Sequence, residues 1–236
     1  MLRIVVINSK GGCGKTTIAT NLASFYTSIG RCTALFDFDP QGSSMRWLKT
    51  RSNESTAIYG VAAHQNTGRG ATTMSWHLRI PPETEYLILD TPPGLKGLEL
   101  IEQIKGADII LIPVLPSPID IYATANFIRD LLLEAKVRQK RTRIGIIANR
   151  VKKNTLAFQA LERFLRTLSI PVVARLRDSL NYVKASEEGI GVHELKGKPI
   201  YLDKMHWRSI NDWIEKRATL GSQEILETEQ PDDEPT

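Results

Sequence analysis

The chain has 236 residues, of which 42% are hydrophobic and 24% charged, the balance of one soluble α/β-sized domain with a single substantial core. No run approaches the roughly 18 apolar residues of a membrane-spanning helix, and two cysteines, Cys13 and Cys32, exclude a disulfide framework and point to a reducing compartment. The net charge of +5 hides an asymmetry: six acidic and no basic residues follow Ala218, so residues 1–217 carry 31 basic against 20 acidic side chains, an excess that suits a polyanionic partner such as nucleic acid.

Met1-Leu2-Arg3 leads straight into an apolar strand, Leu2 to Ile7, with no signal-peptide layout, and a cytoplasmic location is expected. The stretch Ser9-Lys10-Gly11-Gly12-Cys13-Gly14-Lys15-Thr16-Thr17 then enters a helical pattern with Ile18, Leu22, Phe25 and Ile29 on one face and Gly30 at its end. A strand, a glycine turn ending in Gly-Lys-Thr and a helix describe a phosphate-binding loop. Glycines let successive N–H groups point inward as an anion nest, and the helix N-terminus adds partial positive charge. Lys15 is placed to reach the β- and γ-phosphates of a nucleotide and the Thr16 hydroxyl to hold Mg²⁺. Lys10 is surplus to that task, and a lysine at the start of the loop points outward or toward a neighbour.

A second strand, Cys32 to Asp37, runs into Asp37-Phe38-Asp39-Pro40-Gln41-Gly42-Ser43. Two carboxylates thus alternate at a strand's C-terminal end, where open α/β sheets hold their ligands, and a carboxylate there can order metal-bound or attacking water. Met45, Trp47 and Leu48 suggest a short helix, Ala57 to Ala63 a strand, and residues 66–70 a turn-rich loop; Trp47 and Trp76 read as packing residues. Tyr86 to Leu89 is a buried strand ending in Asp90-Thr91-Pro92-Pro93-Gly94, the Walker B arrangement, with Asp90 placed to take Mg²⁺ through its water shell. Gly97 to Lys105 predicts a helix, Ala107 to Pro113 a strand, and Ile119 to Val137 a longer helix after Pro116-Ser117-Pro118. Arg143 to Ala148 is a strand ending in Asn149-Arg150, and an asparagine offers the donor and acceptor that the edge of a purine needs. Thr155 to Leu168 predicts a helix with Leu156, Leu161, Phe164, Leu165 and Leu168 facing a core, Pro171 to Val173 a last short strand, and Met205 to Arg217 an amphipathic helix docked on the domain. The alternation of strand and helix predicts a single doubly wound, mostly parallel sheet with helices on both faces over residues 1–217, followed by an acidic, disordered tail over 218–236.

The wording K-G-G-x-G-K-T-T resembles the deviant Walker A loop of the ParA/MinD family of P-loop ATPases. The resemblance extends over residues 2–217 and is strongest at 9–17, 37–43, 90–94 and 107–120, where A-D-I-I-L-I-P-V-L-P-S-P-I-D is similar to small plasmid-type ParA proteins. It implies ATP and Mg²⁺ as cofactors, bound by Gly11, Gly12, Cys13, Gly14, Lys15, Thr16 and Thr17, with Thr16, Asp39 and Asp90 serving the metal. It makes Lys10 the signature lysine that crosses to the phosphates of a partner subunit, Asp39 the residue that orients water, and 91–94 a γ-phosphate sensor. Asp37 is then a helper to the metal shell or a turn residue. The resemblance also assigns Asn149 to the adenine, Arg150 to stacking on or shielding it, the stretch from Arg175 to Glu187 to a loop over the base, and Asp120 to the dimer interface or to packing.

The implied function is an ATP-driven dimerisation switch that binds the nucleoid without sequence specificity and positions a cargo. Hydrolysis would be stimulated by a ParB-like or McdB-like adaptor, the cargo being a plasmid, a chromosome or a body such as a carboxysome. Lys153 and Lys184 stand where the family carries DNA-binding basic residues; Lys152, Arg175, Arg177, Lys196, Lys198, Arg208, Lys216 and Arg217 are further candidates. The start at the first strand leaves no room for an N-terminal helix-turn-helix, so operator reading is not expected. A MinD-like membrane regulator, with the last helix on lipid, and a P-loop biosynthetic enzyme are the alternatives; association with a membrane is disfavoured by the acidic tail.

Overall fold

The computed structural model describes residues 1–66, 80–133, 142–197 and 200–228. Among them seven strands form one sheet: β1 (Leu2–Val6), β2 (Thr33–Asp37), β3 (Tyr59–Ala62), β4 (Tyr86–Asp90), β5 (Ile109–Val114), β6 (Arg143–Val151) and β7 (Val172–Arg177). Their order is β3-β2-β4-β1-β5-β6-β7, and every neighbouring pair is parallel. The helices are α1 (Lys15–Ser28), α2 (Ser43–Thr50), α3 (Gly97–Ile104), α4 (Pro118–Leu133), α5 (Leu156–Thr167), α6 (Leu180–Glu187) and α7 (Tyr201–Thr228).

Strands buried on both faces read as continuous apolar runs, because each successive side chain meets a different core. In β1, Ile4 and Val6 join one core with Ile18, Leu22 and Tyr26 of α1 and Trp207, Ile210 and Ile214 of α7. Val5 and the following Ile7 join the other, with Leu100 of α3, Phe127 and Leu131 of α4, and Leu161 and Leu165 of α5. The sheet is therefore doubly wound, with α1, α2, α6 and α7 on one face and α3, α4 and α5 on the other, as the alternation of elements predicts.

Element ends differ from the sequence reading in instructive ways. Helix α5 is capped by Thr155, whose hydroxyl accepts from the Phe158 amide at 3.2 Å, and Leu156, expected in the core, is 82% exposed. It lies off the stripe set by Leu161 and Leu165 and starts the helix facing solvent. The stretch from Arg175 to Glu187 is not a long loop: β7 runs to Arg177 and α6 begins at Leu180. Helix α7 starts earlier than Met205 and continues past Arg217 to Thr228, into the acidic segment expected to be disordered; residues 229–236, and Trp76 with the turn at 67–70, lie outside the described residues. Trp47 packs in the core.

A buried ionic knot ties α2 to the segment after α6. Arg51 donates to both oxygens of Glu194, at 3.0 and 2.9 Å, and to the Gly189 carbonyl at 3.1 Å. Burial acts to raise the Glu194 carboxyl, but the Arg51 guanidinium, the Ser24 hydroxyl and the Gly191 amide hold it below its ordinary value. Arg51→Met strands that carboxylate. Its expected cost is about 3–5 kcal/mol, read as a lower urea midpoint at neutral pH, with a gap to wild type that narrows as acid protonates Glu194.

Candidate nucleotide-binding site

The loop leaves β1 through Asn8, a residue the sequence reading passed over. Its amide donates to the Pro113 carbonyl at 2.7 Å and to the Thr124 hydroxyl at 3.0 Å, and its oxygen accepts from the Lys10 amide at 3.3 Å. Asn8 thereby anchors the loop to β5 and α4. A buried polar residue at the end of an apolar strand was the available signal. Gly14 has φ 100°, and a Cβ there would lie 2.1 Å from the Asn149 amide nitrogen, so both backbone conformation and close approach require glycine.

Lys15 is buried at 6% exposure, its ammonium donating to the Lys10 carbonyl at 3.0 Å inside the curl of the loop. Lys10 is half-buried, and its ammonium has no partner among the described residues. Cys13 is buried against that same Lys10 carbonyl, and burial pushes its thiol up, which suits a small filler. Gly94 closes the loop from the other side, its amide donating to the Ser9 carbonyl at 2.9 Å. The segment after Asp90 is therefore in direct backbone contact with the phosphate loop.

The three carboxylates divide the work. Asp37 is buried and accepts from the Asp39 amide at 3.0 Å and the Met45 amide at 3.2 Å. Those bonds hold the 37–45 segment at the start of α2. Asp39 is half-buried and accepts from the Gln41 amide at 2.9 Å. Asp90 is fully buried; one oxygen accepts from the Ser44 hydroxyl at 2.5 Å and the other, Oδ1, has no hydrogen-bond partner among the described residues. Burial pushes the Asp90 carboxyl up to about 6, the Ser44 and Thr16 hydroxyls acting to lower it.

An unpaired buried carboxylate oxygen beside a threonine hydroxyl is a hard-oxygen donor set that fits Mg²⁺. Among the described residues no group of three or more His, Cys, Asp or Glu is arranged to hold a metal.

Beside the loop lies a cleft of about 320 Å³, lined by Thr17, Asn149, Arg150, Asp178, Ser179, Leu180, Tyr182 and Val183. Asn149 is in it, but its amide group is already engaged: the nitrogen donates to the Cys13 carbonyl at 2.8 Å and the oxygen accepts from the Arg150 amide at 2.9 Å. The side chain braces the phosphate loop as well as flooring the cleft. Arg150 has φ 49°, in the left-handed region that few residues other than glycine adopt. Asp120 is buried in the first turn of α4, which Ser117 caps: the Ser117 hydroxyl accepts from the Asp120 amide at 3.2 Å and donates to the Asp120 carboxylate.

The basic candidates separate by their partners. Arg175 forms a fork with Glu162 and Arg177 with Asp203, and Lys152 pairs with Asp178 at 3.1 Å. These cations are committed internally. Lys184 approaches Glu188 only at 3.9 Å with both exposed, and Lys153 is exposed with no ion pair among the described residues. Lys198 and the Arg217 side chain lie outside the described residues. No helix is long and apolar enough to cross a membrane among the described residues.

Residues 4–192 match the family model described as the CobQ/CobB/MinD/ParA nucleotide binding domain. The chain is 31% identical to the maintenance of carboxysome distribution protein A of Halothiobacillus neapolitanus, over 81% of this chain and 87% of that one. It is 26% identical to the chromosome-partitioning ATPase Soj of Thermus thermophilus, over 70% and 75%. Among solved structures, an ATP complex of McdA from Cyanothece superposes with a TM-score of 0.64 at 21% identity, covering 93% of this chain and 96% of that one.

Asp90 gives a pH test with a definite sign. Because its pKa is raised on folding, its favourable contribution is complete at pH values below the ordinary carboxylate value and is lost as pH rises through about 6. In metal-free, nucleotide-free protein, Asp90→Asn should therefore gain thermal stability relative to wild type between pH 4 and pH 7, a shift measured by scanning calorimetry across that range.

Proposed function

The chain belongs to the CobQ/CobB/MinD/ParA family of nucleotide-binding domains, and from that premise we propose that it is an ATP-driven dimerisation switch that positions a cargo over DNA. The observation that carries this reading is Lys10. Lys15 already occupies the loop of its own protomer, and the Lys10 ammonium, unpaired among the described residues, is the surplus cation that this reading assigns to the phosphate site of a second copy. Exposed apolar side chains stand at the same edge of the sheet: Leu98 at the start of α3, and Ile119 and Tyr122 at the start of α4, are 78%, 71% and 73% exposed. Such residues around a site mouth suit a self-complementary contact.

In this reading Lys15 and the loop amides bind the β- and γ-phosphates. Thr16 and Asp90 hold Mg²⁺, which when bound neutralises the phosphate charge. Asp39, on the segment that Asp37 organises, orients the attacking water. Asn149, Arg150 and the first turn of α6 surround the base. The Ser9–Gly94 contact gives the segment after Asp90 a route by which γ-phosphate occupancy alters the surface that a partner copy meets.

The dimer would double every phosphate contact to DNA, steeply raising affinity, with Lys153 and Lys184 the exposed cations to make them. Similarity to the carboxysome distribution protein and to Soj supports a positioning or partition role, with a ParB-like or McdB-like adaptor stimulating hydrolysis at the nucleoid. The apolar side of α7 supports the soluble reading over a lipid-bound one: Trp207, Ile210 and Ile214 are all buried in the domain.

Lys10→Gln should leave nucleotide binding intact while abolishing ATP-induced dimerisation in light scattering; an undiminished dimer removes the proposal. Asp39→Ala should trap the ATP-bound dimer with hydrolysis slowed at least about 100-fold, measured by phosphate release. DNA titrations without nucleotide, with ADP and with ATP should show binding only with ATP, and Lys153→Ala with Lys184→Ala should weaken it and flatten its salt dependence by about one unit of slope per lost contact. Nucleotide-independent binding overturns the switch.

A further inference from the structure

Helix α2 opens with two serines that do different work. A serine near a helix start ordinarily bonds to backbone close by in sequence, yet α2 has no side-chain cap. The Ser43 hydroxyl accepts from the Arg46 guanidinium at 3.0 Å, within its own turn. Ser44 is fully buried and reaches a residue 46 positions away, its hydroxyl donating to Asp90 Oδ2 at 2.5 Å.

The segment that delivers Ser44 is itself braced. Asp37 accepts from the Asp39 amide at 3.0 Å and the Met45 amide at 3.2 Å, and it stands in register with Asp90 on the neighbouring strand. The Phe38 amide donates to the Asp90 carbonyl at 2.9 Å. Residues 38 and 44 therefore grip Asp90 at its backbone and at its carboxylate, with Asp39 carried between them.

A buried carboxylate needs donors for its own sake, but that need accounts for only half of the arrangement. Oδ2 of Asp90 has the Ser44 hydroxyl, whereas Oδ1 has no hydrogen bond among the described residues. Pinning one oxygen restricts rotation of the carboxylate group and leaves the other as its open donor atom. Groups behind a metal-binding side chain orient it in this way, and their loss weakens the metal without removing a ligand.

We propose that Ser44 is a positioning residue for Mg²⁺: its hydroxyl holds the Asp90 carboxylate so that Oδ1 remains the oxygen open to the ion. It acts through Asp90 rather than on the metal. The inference rests on the assignment of Thr16 and Asp90 to Mg²⁺ in the function proposed above, and it requires neither the dimer nor DNA.

ADP binding to the full chain is measured by titration calorimetry in EDTA and over a series of Mg²⁺ concentrations, a readout that involves no hydrolysis. Wild type should bind ADP more tightly as Mg²⁺ rises. Ser44→Ala should leave ADP affinity in EDTA unchanged and raise the half-saturating Mg²⁺ concentration at least about tenfold, the loss expected when a group that orients a metal ligand is removed. Ser44→Thr keeps the hydroxyl and should stay close to wild type. An unchanged or lower Mg²⁺ requirement in Ser44→Ala overturns the proposal, as does an equal loss in Ser44→Thr. So does an ADP affinity in EDTA that falls in step with the Mg²⁺ response, since Ser44 then serves the fold of the site rather than the metal. A wild type indifferent to Mg²⁺ removes the metal assignment and this inference together, whereas a responsive wild type beside an unaffected Ser44→Ala overturns the role of Ser44 alone.

Discussion

The parallel registration of the central strands is the constraint on which the rest of the site depends. Val6 pairs with Asp90, and Asp90 pairs with Asp37, so the end of β1, where the phosphate loop begins, stands in one row with two carboxylates from strands far apart in sequence. Parallel pairing requires every connection to cross back over a face, which collects the loops after β1, β2, β4, β5 and β6 at a single edge. That edge is where anion-binding amides, acidic side chains and the base cleft meet.

Placing two carboxylates side by side in a buried row is unfavourable, and the surrounding residues offset it. Asp37 spends its oxygens on backbone amides of its own segment, and Asp90 has the Ser44 hydroxyl on one side. The residual strain appears as the raised pKa of Asp90, to which the nearby Asp37 charge contributes after burial. A divalent cation at the site proposed for Mg²⁺ would relieve that strain by offsetting the charge of the acidic row. The phosphate loop is similarly self-satisfied: Lys15 is held by the Lys10 carbonyl and Asn149 by the Cys13 carbonyl. In the proposed function a triphosphate would compete for Lys15 with the carbonyl of Lys10 itself.

Much of this was legible in the chain. The order of strands and helices, the double winding and the positions of Lys15, Thr16, Asp39 and Asp90 followed from apolar periodicity and from glycine, lysine and aspartate at fixed offsets, because those are local consequences of backbone sterics and phosphate chemistry. The role of Ser44 was not legible, since its hydrogen bond to Asp90 joins residues with no local signature of their contact. Which basic side chains are engaged was not legible for the same reason. Arg175 and Arg177 look free in sequence and are forked to Glu162 and Asp203 in the fold, and Leu156 looks like a core residue until its cap sets the helix phase.

By itself, then, the sequence determined the fold class, the nucleotide loop and the presence of a second lysine within it, all of which depend on residues near one another along the chain. Tertiary structure alone decided that Asp37 ties together the 37–45 segment, that Asn149, which the resemblance assigns to the adenine, also braces the phosphate loop, and which cations remain unpaired among the described residues. It also decided that Phe25, His193 and Asn211, far apart in sequence, border one cavity between α1 and α7. Pairing, burial and enclosure are properties of distant segments brought together, and no local pattern encodes them.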